Sequence, residues 1–114
     1  MTRWYGYNKY GNKKVYVNNI KFDSKHEAEI YLNLKMMERG KAITDLRRQV
    51  PFELQPSFKM NGKTVRAIKY IADFVFVNEK GETEVWDAKG VQTEVYKIKK
   101  KMFEYKYGIE IKEV

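Results

Sequence analysis

One segment constrains this chain more than any other: Thr64 to Lys89, where two runs rich in aromatic and β-branched residues flank Glu79-Lys80-Gly81. Runs of that composition read as strands. A three-residue loop closing on glycine joins them as a hairpin, because its last residue needs the left-handed backbone that glycine adopts cheaply. With that loop fixed, Asn78 pairs with Glu82, and counting back along the register puts Asp73 directly opposite Asp87. Opposed residues of an antiparallel pair share a face, with Cβ atoms about 4.5–5.5 Å apart. Lys89 lies two residues beyond Asp87, so alternation puts it on that face too. Two carboxylates and an ammonium are therefore expected at one end of one hairpin. Like charges so close are unfavourable as a purely structural pair. A divalent cation removes the conflict, since Mg²⁺ favours hard oxygen ligands and usually takes one or two carboxylates with phosphate and water. The lysine can then position or activate an attacking water and offset charge developing on phosphorus. The plain alternative is a D…DxK spacing arising by chance on charged strand faces.

The rest of the chain arranges itself around that hairpin. Val15-Tyr16-Val17 and Ile20-Lys21-Phe22, parted by Asn18-Asn19, read as a short hairpin. Ser24 caps a helix with Glu27 at the capping-box position, and Gly40 closes it. Ile43 to Phe58 is extended but interrupted at Pro51 and Pro56, which marks an edge or bulged strand. Asn61-Gly62 turns into a long strand from Thr64 to Val77, and the strand Thr83 to Lys89 follows, ended by Gly90. Thr93 caps a second helix running to about Tyr107, Gly108 stops it, and residues 109–114 alternate as a terminal strand. The order of helix, three antiparallel strands, helix and strand is an α/β class fold with a mixed α+β sheet. It forms one domain over residues 15–114, behind an arm at residues 1–14.

Each helix carries a residue pattern with chemical content. In the first, Glu27, Ile30, Tyr31 and Leu34 share a stripe, while Lys25, His26, Glu29 and Asn33 lie on another side. A carboxylate facing the core needs a partner. Glu27 either reaches back to cap Ser24 or joins Asp73 and Asp87 as a third acidic contributor, and the second reading is the one adopted. His26, the sole histidine, reads as a solvated helix residue. In the second helix Val95, Ile98, Met102 and Tyr105 form an apolar stripe, with Lys97, Lys100 and Lys101 opposite. Those lysines are either an ordinary solvated face or a phosphate-facing ridge beside the site.

Charge favours the phosphate. Lys and Arg number 23 against 15 acidic residues, a net charge of +8. In a small domain that balance points to a polyanionic partner, because neutralising phosphates releases counterions. The chain has no cysteine, which excludes disulfides and thiolate metal sites. It has no run near the roughly 18 apolar residues that span a bilayer, and its first residues lack a signal-peptide pattern. A soluble, cytoplasmic chain with no membrane partner is the expectation. Within the arm, Arg3, Lys9, Lys13 and Lys14 among Trp4, Tyr5, Tyr7 and Tyr10 could grip phosphates and stack on unpaired bases, or simply fray.

With an acidic residue in the first helix, Ile71-Ala72-Asp73 on one strand and Trp86-Asp87-Ala88-Lys89 on the next, this order of elements resembles the PD-(D/E)XK nuclease fold. More closely, Phe22 to Glu29, Gln49 to Pro56, Tyr70 to Phe74, and Asp87 to Gly90 followed by Tyr96-Lys97-Ile98-Lys99 are similar to a phage-encoded family of small domains. That family is mostly uncharacterised or related to Holliday junction resolvases and other endonucleases. The similarity covers residues 15–114. It implies a restriction-endonuclease-like αβββαβ core, with Asp73 and Asp87 binding Mg²⁺ or Mn²⁺ together with the carbonyl of Ala88. Lys89 would assist the water, Glu27 would complete the site, and Gln92 and Lys97 would be auxiliary contacts. It further implies hydrolysis to 5′-phosphate and 3′-hydroxyl ends by a homodimer acting on branched DNA, since resolvases of this class work as two-fold dimers. Ala72 stands where the superfamily has its nominal proline, and Asp87 where glutamate is commoner. Nicking, mismatch processing, RNA cleavage and non-catalytic DNA binding stay open, because a fold does not dictate its function.

Overall fold

The computed structural model describes residues 14–88 and 92–114. Its first hairpin pairs β1 (Val15–Val17) with β2 (Ile20–Phe22), Val17 opposite Ile20. Asn18 and Asn19 form the two-residue loop with φ of 51° and 67°, the left-handed geometry that such loops demand and asparagine tolerates. Helix α1 spans Lys25–Arg39, and the Ser24 side chain accepts the Glu27 amide at 3.1 Å. Gly40 closes it with an ordinary φ of −81°, while the left-handed residue is its neighbour Lys41 at 64°.

Then come β3 (Thr44–Gln55), β4 (Phe58–Met60), β5 (Lys63–Val65), β6 (Ile68–Val77), β7 (Thr83–Asp87), α2 (Glu94–Tyr107) and β8 (Ile111–Glu113). A four-stranded mixed sheet has the order β3-β6-β7-β8, with β8 parallel to β7 and the other pairs antiparallel. One face of the sheet packs on α1 and the first hairpin through Phe22, Tyr31, Leu34, Phe74 and Phe76. The other packs on α2 through Tyr70, Val75, Val85, Tyr96 and Phe103. No helix among the described residues is long and apolar enough to cross a membrane.

The β6–β7 hairpin has the expected register. Phe74 faces Trp86 and Val77 faces Thr83, the Asn78 amide donates to the Glu82 carbonyl at 2.9 Å, and Gly81 has φ 79°. Continued by one rung, this register sets Asp73 against Asp87. β3 is an edge strand with two register shifts. It runs straight through Pro51, where an edge position makes the missing N–H donor inexpensive.

Two expectations need correction. The long strand from Thr64 to Val77 is divided: Lys63–Val65 leaves the main sheet to pair with Phe58–Met60 around Asn61-Gly62 (φ 51° and 75°), and β6 starts only at Ile68. The same local pairing, begun beyond Pro56, ends the extended run from Ile43 at Gln55. The α2 stripe is also largely turned outward, with only Met102 of its four residues packed against the core. Val95, Ile98 and Tyr105 are 61%, 57% and 93% exposed, whereas Tyr96 and Phe103 are buried. The sheet offers this helix an aromatic cradle: Phe103 lies 4.9 Å from Phe52 and 5.3 Å from Tyr70 between ring centroids, and 5.0 Å from Tyr107 of its own helix. Lys100 sits on this inward stripe and sends its ammonium to Glu113 at 3.2 Å. Tyr96, Lys100, Phe103 and Tyr107 are as helically spaced as the aliphatic set, and flat aromatic packing prevails over it.

Candidate functional site

The sheet changes faces at a single rung. On β6, Tyr70 and Ala72 pack toward α2, but Phe74 and Phe76 pack toward α1. On β3, Leu46 and Arg48 face the α1 side, while Val50 and Phe52 face α2. The register pairs Arg48 with Phe74 and Val50 with Ala72, which leaves Gln49 opposite Asp73 at the handover. Gln49 has φ 51°. A left-handed residue inside a strand turns the following peptide and sends later side chains to the other face. Side chains at that rung belong to neither apolar layer, so two polar ones can occupy the middle of a sheet.

Their hydrogen bonds build a chain of acids. Gln49 Nε2 donates to Asp73 Oδ1 at 3.1 Å and to Glu27 Oε1 at 3.3 Å. Asp73 Oδ2 accepts the Ala88 amide at 2.9 Å. Asp87, 2% exposed, accepts the Tyr70 hydroxyl at 2.7 Å. Asp87 lies beside Asp73 and raises its carboxyl by like charge. The order in space is thus Glu27, Gln49, Asp73, Asp87, Tyr70, running from the α1 layer through the sheet to the α2 layer.

Burial drives the electrostatics. Asp73 is raised to about 7, first by desolvation and then by the negative charges of Asp87 and Glu27. Glu27 is also raised, chiefly by burial, which outweighs the pull of Arg48. The Arg48 guanidinium is itself placed 4.4 Å from the Phe22 ring centroid. Burial and the bond to Asp87 push the Tyr70 hydroxyl far up, so it remains a donor. A carboxyl so raised takes up either a proton or a cation, and the oxygens of Asp73 and Asp87 suit a hard divalent ion. Among the described residues no three acidic or histidine side chains converge on one point that could hold a metal. Glu27 reaches the pair only through the Gln49 amide.

A family model described as "Protein of unknown function (DUF1064)" matches residues 7–113. The chain belongs to the DUF1064 family. No curated protein and no solved structure matches it. The DUF1064 match includes Glu27, Gln49, Tyr70, Asp73 and Asp87, every residue of the site.

The remaining candidates fall in four groups. Lys89, Arg3 and Lys13 lie outside the described residues, as does most of the arm. Ala88 meets Asp73 through its amide. Gln92, Lys97, Lys100 and Lys101 line one cleft of about 370 Å³, shared with Glu94 and Glu104. In it Lys97 pairs with Glu94 at 3.4 Å, and Lys100 meets Glu113, which also accepts the Tyr96 hydroxyl at 2.7 Å. Lys14 pairs with Asp23 at 3.0 Å. His26 is exposed and bonds to the Val114 oxygen at 2.9 Å. Sequence reasoning missed Gln49 and Tyr70. Both open blocks that carry the family resemblance, but no signal in the sequence assigned either a role at the acidic rung.

Proposed function

We propose that this chain is a metal-dependent DNA endonuclease of the PD-(D/E)XK type, with a restriction-endonuclease-like core and a preference for branched DNA. The observation that carries the reading is the Asp73–Asp87 pair, two carboxylates in mid-sheet with Asp73 held up to about 7 by burial and by its acidic neighbours. Such a pair costs folding energy, and a divalent cation relieves that cost. Mg²⁺ or Mn²⁺, when bound, polarises the phosphate and lowers the pKa of its water. Asp73 and Asp87 would supply it with anionic oxygens, and by the resemblance the carbonyl of Ala88 would add a neutral one. Gln49 holds Glu27 and Asp73 at fixed separation through its two hydrogen bonds. Tyr70 fixes the Asp87 carboxylate by its hydroxyl. Lys89 follows Asp87 by two residues and positions the attacking water. The water oxygen bonds to phosphorus, the P–O3′ bond breaks, and the 3′ oxygen leaves with a proton, giving 5′-phosphate and 3′-hydroxyl ends. A homodimer would present two such sites to paired strands, and the lysine cleft of α2 would meet backbone phosphate.

A non-catalytic DNA-binding domain is the second reading. Favouring it, Gln49 Nε2 donates to both Glu27 and Asp73 and ties these carboxylates into the fold. Cleavage of a labelled four-way junction, a matched linear duplex and a single strand separates the two, each with Mg²⁺, Mn²⁺ or EDTA, for wild type and Lys89→Ala. Symmetric, metal-dependent cutting of the junction alone, lost in the variant, is the expected result. Tight binding with no cutting of any substrate would move the assignment to the second reading.

A further inference from the structure

The β4–β5 ribbon stands apart from everything else in the fold. Its two strands pair only with each other, and all six of their residues are exposed. Phe58 (40% exposed) opposes Val65 (37%), and Met60 (59%) opposes Lys63, so these four share one face. Lys59 and Thr64 form the other. Between Glu53 and Asp73 the chain has no acidic residue but carries Lys59, Lys63, Arg66 and Lys69. No carboxylate among the described residues forms an ion pair with any of these cations. An isolated two-stranded ribbon is marginal in water, and one that shows three large apolar side chains is completed by a partner. Its charge selects the partner. A second copy would bring cation against cation, whereas a polyanion matches.

We infer that this ribbon is a duplex-gripping arm that enters the major groove of DNA one helical turn from the site, an inference that rests on DNA being the substrate. The groove, about 12 Å wide, admits a two-stranded ribbon. Lys59, Lys63 and Arg66 meet the phosphates of its walls, and Phe58, Met60 and Val65 lie against base edges and thymine methyl groups. The reach also fits. At about 3.3 Å per residue the chain from Gln49 to Asn61 extends at most about 40 Å, close to the roughly 34–36 Å of one helical turn. A duplex laid along β3 and β6 therefore offers phosphate to the site and, one turn on, its next groove to the ribbon.

The test is fluorescence anisotropy of a labelled 30-base-pair duplex with the full chain in EDTA, over about 50–200 mM salt. Wild type is compared with Lys59→Gln/Lys63→Gln/Arg66→Gln and with Phe58→Ser/Met60→Ser. All five positions are exposed, and unchanged circular dichroism checks the fold. The charge variant is expected to bind at least about tenfold more weakly and to lose about 2.7 from the slope of log K against log salt, about 0.9 for each phosphate contact. The apolar variant should weaken binding several-fold with the slope kept. Wild-type affinity and slope in the charge variant would overturn the arm while leaving DNA as the substrate. A wild type that binds neither this duplex nor a four-way junction would overturn both. Sedimentation showing a wild-type dimer lost in Phe58→Ser/Met60→Ser, with DNA binding intact, would replace the duplex by a second copy of the chain.

Discussion

The two helices cover opposite faces of one sheet and treat charge in opposite ways. α1 buries aliphatic and aromatic side chains with one acid among them, Glu27, and that acid belongs to the polar rung. α2 buries two aromatic rings and turns its aliphatic residues to solvent, and the cation on its inward stripe, Lys100, is satisfied at the rim by Glu113. The lesson concerns reach. A lysine has a stem long enough to cross an apolar contact and deliver its charge to water or a surface acid, so its place in a stripe says little about function. A short carboxylate on a buried stripe has no such escape and must be answered from inside the fold.

This comparison can be broken at several points. The largest effect belongs to Phe103, fully buried beneath α2: Phe103→Ala should cost about 3–5 kcal/mol in denaturant unfolding. An unchanged midpoint would restore the aliphatic stripe as the packed face. The acidic rung comes next. Because the folded-state pKa of Asp73 is raised to about 7, the native state holds that proton while the unfolded chain releases it from about pH 4. Stability should therefore fall as pH rises from about 4 to 7 in metal-free buffer. Asp73→Asn should remove the fall and gain about 2 kcal/mol at pH 8, after allowance for partial solvent screening. Parallel unfolding curves for wild type and variant across that range would mean the rung carries no strain. The smallest effect is Tyr105→Ser, on the exposed side of α2, which should stay within about 0.5 kcal/mol of wild type. A loss of 2 kcal/mol or more would place Tyr105 in a packed interface.

What could be read from sequence followed from backbone chemistry that leaves few choices. Asn18-Asn19 and Glu79-Lys80-Gly81 force particular loop lengths, and loop length fixes register, so the meeting of Asp73 with Asp87 was legible before any coordinates. Ser24, Thr93 and Gly108 set the helix ends in the same local way. The illegible parts depend on tertiary choices. Gln49 adopts a left-handed backbone that no local signal favours, and only the two opposed layers make the handover worthwhile. The α2 sequence offers two stripes of equal spacing, and the aromatic cradle on the sheet decides between them. Residues 58–65 could continue the main strands or pair among themselves, and Asn61-Gly62 serves either course.

The central claim is that the Asp73–Asp87 rung is a cation site. Thermal unfolding of the full chain with and without 10 mM Mg²⁺ or Mn²⁺, at pH 8 and pH 5.5, for wild type and Asp73→Asn, tests it most directly. The account predicts saturable stabilisation of the wild type at pH 8, about 1–3 kcal/mol for millimolar to sub-millimolar affinity. That gain should shrink at pH 5.5, where Asp73 keeps its proton, and vanish in the variant. Stabilisation equal in the variant, or absent from the wild type at pH 8, would contradict it.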